Sequence, residues 1–282
     1  MCAHATYLIA YMKTDLFDIK DKIIVITGGY GVLGTCISKY LAQQGSTVIV
    51  LGRNKEKGST LIDEITRSGG KADFIISDVT DKTILTQNRE EILHKYGRID
   101  ILINAAGGNM PGATIGENNN IFDLDTDAFQ DVVNLNLMGT LLPTTIFMEA
   151  MVKSGAGNII NFSSMSALRP LTRVAGYGSA KAAVTNFTQY MAGELATKFG
   201  EKFRVNAIAP GFFLTEQNRT LLTNPDNTLT ARGKTIVAHT PFRRFGNPDE
   251  LLGSVHYLIS DASQFVTGSV LVVDGGFNAF SI

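Results

Sequence analysis

The chain has 282 residues, 44% of them hydrophobic and 18% charged, with a formal net charge of -1. That length suits one large α/β domain with a sizeable buried core, and the balanced charge argues against nucleic acid or an anionic membrane surface, both of which need clustered basic residues. Cys2 and Cys36 form no C-x-x-C pair and His4, His94, His239 and His256 show no ligand spacing, so neither a disulfide framework nor a metal site is indicated and a cytoplasmic location is the default.

Residues 1–12 read as a tail or extension: their apolar patch lacks a basic n-region and a cleavage signal, and nothing in them approaches membrane-spanning length. Met12 would itself serve as a start, which leaves residues 13–282 as the domain. Apolar, β-branched runs then alternate with amphipathic segments. "KIIVIT" (22–27) precedes a helix over Thr35 to Gln44, "TVIVLG" (47–52) one over Lys55 to Arg67, and "ADFIIS" (72–77) one over Lys82 to Tyr96. "DILINA" (100–105) leads to a helix over Thr126 to Lys153, "NIINFS" (158–163) to one over Tyr177 to Lys198, and "RVNAIA" (204–209) to one over Pro248 to Ile259, where proline suits a first turn. "SVLVVD" (269–274) closes the series.

This alternation predicts a Rossmann-type, doubly wound α/β domain: a seven-stranded parallel sheet with helices on both faces and ligands beyond the carboxyl ends of the strands, where strand order reverses. Gly107 to Asp125 and Gly211 to Thr240 carry no clear element. Both follow strands, and the second is placed as a substrate lid around 211–240.

The turn "TGGYGVLG" (Thr27 to Gly34) follows the first strand, where a dinucleotide pyrophosphate is usually cradled. Gly28, Gly31 and Gly34 fit no standard spacing. Backbone N–H groups at the helix start, including those of Val32 and Leu33, remain available as donors, which predicts a pyrophosphate over residues 29 to 33 with the Val32 side chain turned away. Further along, Tyr177 and Lys181 are four apart at a helix start, one turn apart on one face. An ammonium there favours the phenolate and lowers a pKa that is otherwise about 10, which suits a proton donor and acceptor. Taken alone such pairs are mostly surface neighbours. Ser164 stands at a strand end where it can hydrogen-bond a reacting carbonyl oxygen, while Ser163 faces the other way because strand neighbours alternate.

With "SDV" (77–79), "NAAG" (104–107), "NLMG" (136–139), Ser164, "YGSAK" (177–181), "PG" (210–211) with Thr215, and "VDGG" (273–276) following the glycine turn in order, residues 17–282 resemble the short-chain dehydrogenase/reductase family. The resemblance implies a catalytic tetrad of Asn136, Ser164, Tyr177 and Lys181. In it Tyr177 protonates the substrate oxygen, Ser164 polarises it, Lys181 binds the nicotinamide ribose and tunes Tyr177, and Asn136 kinks its helix and anchors a relay water.

It also implies NAD(H) or NADP(H) on Gly28, Tyr30, Gly31, Val32 and Leu33 at the phosphates, with Arg53, Asp78 and Val79 near the adenosine. Asn104, Ala105, Ala106 and Gly107 would support the ribose and the sheet, and Pro210, Gly211 and Thr215 would face the nicotinamide beside Tyr177 and Lys181. Gly52 occupies the position of the acid that usually binds the NAD ribose, and Arg53 follows it, which leaves the coenzyme preference open.

Words such as "AAGGNMPGAT", "SSMSALRPLTRV" and "APGFFLTEQNR" are most similar to the D-mannonate oxidoreductase (fructuronate reductase) branch of that family, with gluconate 5-dehydrogenase-like and 3-oxoacyl reductase activities as alternatives and a non-catalytic redox sensor as a different class. A sugar-acid substrate needs a cation and several hydrogen-bonding groups. Asn109, Arg169, Arg173, Gln217, Asn218 and Arg219, with Ser164 and Tyr177, are the candidates. The branch implies a small-molecule partner and a homotetramer or homodimer.

Overall fold

The computed structural model describes residues 15–116 and 118–279; the tail read over 1–12 lies outside them. Among the described residues one sheet has seven parallel strands in the order β3-β2-β1-β4-β5-β6-β7. They are β1 Ile23–Thr27, β2 Thr47–Gly52, β3 Lys71–Ile76, β4 Ile101–Asn104, β5 Gly157–Phe162, β6 Phe203–Pro210 and β7 Val270–Val273. Every β-branched run marked in the sequence is a strand. The central ones are buried on both faces, as β1 and β4 show at every position, which is why they read as continuous apolar runs.

Side chains alternate between two cores. Ile24 and Ile26 of β1 face Ile37 and Leu41 of helix α1 (Val32–Gln43), Leu61 and Ile65 of α2 (Lys55–Arg67), and Val255 further along the sequence. Ile23 and Val25 face Leu85 and Ile92 of α3 (Lys82–Tyr96) on the other side, together with Phe147, Met151 and Leu195. Helix starts are set by side chains where the sequence supplies them: Asn54 accepts from the Lys57 N–H, and Asp81 from those of Thr83 and Ile84.

The long run after β4 departs from the single helix expected. It is α4 (Thr126–Val133), a π turn (Asn134–Met138) and α5 (Gly139–Ser154). By length and mean hydropathy, 1.3, Thr126–Ser154 would pass for a membrane span. Phe147, Met148 and Met151 are instead buried against the sheet, so it is a core helix.

After β5 come a single turn α6 (Met165–Leu168) and the long α7 (Ala175–Phe199). The stretch 211–240, in which no element was expected, holds α8 (Glu216–Leu222) and α9 (Ala231–His239). Their periodicity is weak, and their starts are made by Thr215 with Asn218 and by Thr230, polar residues that also read as loop. Pro248–Leu251 is a 3₁₀ turn leading into α10 (Leu252–Ile259). Strand order reverses between β1 and β4, so the segments after those two strands meet at one edge of a crevice.

Candidate active site

The glycine turn and the segment after β4 touch at that reversal. A Cβ on Gly28, which has φ +66°, would lie 2.8 Å from the Ala106 Cα, and one on Gly34 would lie 2.3 Å from the Gly28 carbonyl oxygen. Only glycine lets these backbones approach so closely. α1 begins at Val32, three residues earlier than expected, and its N-cap, Gly31, has no side-chain capping bond. The first N–H groups of that helix therefore face the crevice with no intrahelical acceptor, which is an anion-binding arrangement.

The crevice is a cleft of about 530 Å³ that runs from this turn past the ends of β2, β4, β5 and β6. Gly28, Tyr30, Gly31, Val32 and Leu33 line one end with Arg53, Asp78 and Val79; Ala105, Ala106 and Gly107 line the middle; Tyr177, Lys181, Pro210, Gly211 and Thr215 line the other. Asn104 does not line it. Its side chain is buried in an amide ladder, with Nδ2 donating to Thr144 Oγ1 and Asn161 Oδ1 at 2.9 Å each, and Asn161 continuing the ladder to Thr188. Being the last residue of β4, Asn104 has its side chain set by strand alternation, which turns it to the sheet face covered by α5 and α7 and away from the crevice.

Ser164 lies two residues beyond β5 as the N-cap of α6, and its hydroxyl accepts from the Ser166 N–H at 3.2 Å and the Ser166 hydroxyl at 3.0 Å. Its own proton is thus left to donate toward Tyr177, whose phenol is half-buried on the first turns of α7. Ser163 faces away and shares a 2.6 Å hydrogen bond with Thr185.

Lys181 is buried at 3% exposure, donates to the Phe162 carbonyl at 2.7 Å and lies 5.6 Å from the Tyr177 ring centroid. Burial lowers its pKa from 10.5 to about 8. The expected lowering of Tyr177 by Lys181 is not what this geometry produces: burial raises the phenol, and Ser164 alone opposes it. The ammonium is directed at the Phe162 carbonyl, not at the phenolic oxygen.

Asn136 sits inside the π turn, fully buried. Its Nδ2 donates to the Gly108 and Val132 carbonyls at 2.7 and 2.8 Å, and its Oδ1 accepts from the Gly108 N–H at 3.0 Å. A π turn is the one helical geometry that carries an extra residue, and it recurs at functional sites. Here it lets Asn136 reach across to the segment after β4. A Cβ on Gly107 would fall 2.6 Å from Asn136 Oδ1 and 3.2 Å from Lys181 Nζ, so three elements converge there.

The candidate substrate residues separate. Ser164, Tyr177 and Asn218 line the cleft, but the Asn218 side chain is spent on capping α8, accepting from the Thr215 N–H and donating to the Phe213 carbonyl at 2.8 Å each. Arg169 instead binds the C-terminal segment, donating from Nε to Asn278 Oδ1 and from Nη2 to the Asn278 carbonyl.

Arg173 is half-buried in the left-handed region at φ +75°, and its carbonyl accepts from the Ile115 N–H at 3.0 Å. Asn109 is exposed and donates to Thr114, Arg219 is exposed outside the lining, and the Gln217 side chain lies outside the described residues. Sequence reasoning missed Leu135, Phe162, Phe212 and Phe213 on the cleft wall. The last two directly follow the "PG" pair, an available signal. Among the described residues no group of three or more His, Cys, Asp or Glu stands where a metal ion could be held.

A family model described as short chain dehydrogenase matches residues 22–226. An oxidoreductase of Bacillus subtilis named UxuB, itself uncharacterised, is 44% identical over 274 residues, which cover 94% of this chain and 97% of that protein. A crystal structure from Haemophilus influenza, of a protein provisionally assigned as a D-mannonate oxidoreductase and holding NAD, is 43% identical with a TM-score of 0.87, covering 94% of this chain and 97% of that one. A gluconate 5-dehydrogenase from Burkholderia cenocepacia in complex with NADP and tartrate is 30% identical with a TM-score of 0.83, covering 95% and 99%.

Proposed function

This chain belongs to the short-chain dehydrogenase family and is an oxidoreductase, and on that premise we propose that it interconverts a keto sugar acid and its hydroxy acid with a nicotinamide dinucleotide, the pair being D-fructuronate and D-mannonate. The observation that carries the reaction type is the placement of Ser164, Tyr177 and Lys181 on one wall of a cleft whose other end is an uncapped helix N-terminus behind close-packed glycines.

The residues fit a dinucleotide: the α1 N-terminus suits the pyrophosphate, and Lys181 with Pro210, Gly211 and Thr215 suits the nicotinamide half. A bound nicotinamide supplies or accepts the hydride. Tyr177 gives a proton to the substrate oxygen, or removes one in the oxidative direction, while the Ser164 hydroxyl, now directed toward Tyr177, would turn its proton to that oxygen and hold it in place. Lys181, anchored on the Phe162 carbonyl, would hold the ribose of a bound dinucleotide and return a proton to the phenol; Asn136 fixes Gly108 nearby. Arg173, between Ser164 and Tyr177 in the sequence but outside the cleft lining, is the cation proposed for the substrate carboxylate.

The choice of substrate is supported by the 43% identity to the provisionally assigned D-mannonate oxidoreductase, and the coenzyme by the NAD and NADP held in the two related structures. The gluconate 5-dehydrogenase is the reason to keep 5-ketogluconate as the second candidate. A cytoplasmic homotetramer or homodimer completes the reading.

The test is a nicotinamide absorbance assay on purified protein with fructuronate, 5-ketogluconate and an acetoacetyl thioester, each with NADH and then NADPH. Turnover of fructuronate at least about tenfold more efficient than of the other two supports the proposal. Preference for either other substrate would replace it, and tight dinucleotide binding without any turnover would point to a sensor.

A further inference from the structure

At the end of β2, Gly52 stands where an acidic side chain would accept hydrogen bonds from a ribose and repel a 2′-phosphate. The space is filled by Tyr30 of the glycine turn. A Cβ on Gly52 would lie 2.1 Å from Tyr30 Cε1 and 2.9 Å from its hydroxyl oxygen, so no side chain fits at 52 while the ring is there. The ring rests against Phe74 at 6.1 Å between centroids. Its hydroxyl oxygen accepts from the backbone N–H of Arg53 at 2.9 Å and of Asn54 at 3.0 Å. A phenol has two lone pairs and one proton. With both lone pairs taken, the proton is its remaining capacity, and Tyr30 lines the cleft beside Arg53 and Asp78.

We propose that Tyr30 is the residue that sets coenzyme selectivity: its hydroxyl stands in for the missing acid, donating to the 2′ oxygen of the adenosine ribose, so that dinucleotides with and without a 2′-phosphate are both accepted. This rests on reading the cleft as a dinucleotide site. A donor at that point reverses the hydrogen-bond polarity of a carboxylate and carries no charge to repel phosphate. The exposed Arg53 adds a cation at the same edge, while Oδ1 of the Asp78 carboxylate accepts from the Thr80 N–H and hydroxyl.

Calorimetric titration of the purified full-length protein with NADH and with NADPH tests this. The two Kd values of the wild type should agree within about tenfold. Tyr30→Phe should weaken NADH about three- to tenfold and NADPH less, because the freed Arg53 and Asn54 N–H groups become available to phosphate. Gly52→Asp alone should weaken both, since ring and carboxylate compete for one space. Combined with Tyr30→Ser it should restore NADH and leave NADPH weaker by more than about tenfold.

A wild-type preference above tenfold, equal effects of Tyr30→Phe on both coenzymes, or selectivity conferred by Gly52→Asp without Tyr30→Ser would each overturn the assignment of Tyr30 and leave the cleft assignment standing. Binding of neither coenzyme to the wild type would overturn both.

Discussion

Replacing Lys181 by Met removes a buried ammonium and keeps the length of the side chain. The ordinary lysine pKa of 10.5 falls to about 8 in the fold. The folded state therefore gives up its proton first, and between about pH 8 and 10.5 the unfolded chain binds more protons. Stability then rises with pH across that window; the penalty for burying the charge is fully present below about pH 8 and gone above about 10.5. At pH 7 the difference corresponds to about 3 kcal/mol.

Loss of the donor to the Phe162 carbonyl takes back about 1 kcal/mol, so Lys181→Met should be about 2 kcal/mol more stable than the wild type at pH 7. By pH 10 that advantage should shrink by about 2 kcal/mol. Urea unfolding of both proteins at a series of pH values, followed by circular dichroism, measures it. Tyr96 and Cys36, whose pKa values burial raises, are unchanged between the two proteins and cancel in the difference. Turnover should fall at least about 100-fold over the same series. A stability difference that does not vary with pH, or a variant less stable at pH 7, would refute the argument from burial.

Tyr177→Phe should reduce turnover more than about 1000-fold with little change in dinucleotide Kd by calorimetry; retained turnover removes Tyr177 as proton donor. Arg173→Gly relieves the left-handed backbone at φ +75°, so it should be about 1 kcal/mol more stable than Arg173→Ala in urea titrations. Both variants should raise KM for a sugar acid more than for an uncharged ketose, and an equal rise for the two substrates speaks against carboxylate contact. Gly34→Ala forces a Cβ to within 2.3 Å of the Gly28 carbonyl oxygen and should weaken NADH binding at least about tenfold; an unchanged Kd would show that the turn is not the phosphate site.

The strands were legible because burial on both faces demands unbroken β-branched runs, and α2 and α3 because a polar N-cap and regular spacing mark them end to end. The four residues proposed as a tetrad stand out in the sequence as a linear pattern. What the pattern lacked was direction. Nothing in the order of residues says that Asn218 spends its amide on capping α8, that Arg169 turns to Asn278, or that Asn104 turns to the face under α5 and α7. Those choices depend on partners far away in the sequence or on which side of a strand end a residue falls. The effect of Lys181 on Tyr177 was misjudged for a related reason: spacing shows that two side chains share a helix face, and only the fold shows that the ammonium is directed at a carbonyl of β5.

The π turn between α4 and α5 also governs angular phase. Each residue of an α-helix advances about 100° around the axis. With one residue of surplus taken up between Asn134 and Met138, Asn136 is indexed to the cleft while Phe147 and Met151 downstream are indexed to the sheet. Deleting one of those five residues would heal the α ladder and leave Phe147 and Met151 in phase with the sheet, while removing the local widening that presents Asn136 to Gly108. The turn thus stores one residue beyond the α-helical count and uses it for a single side chain, without changing which face of the rod meets the sheet.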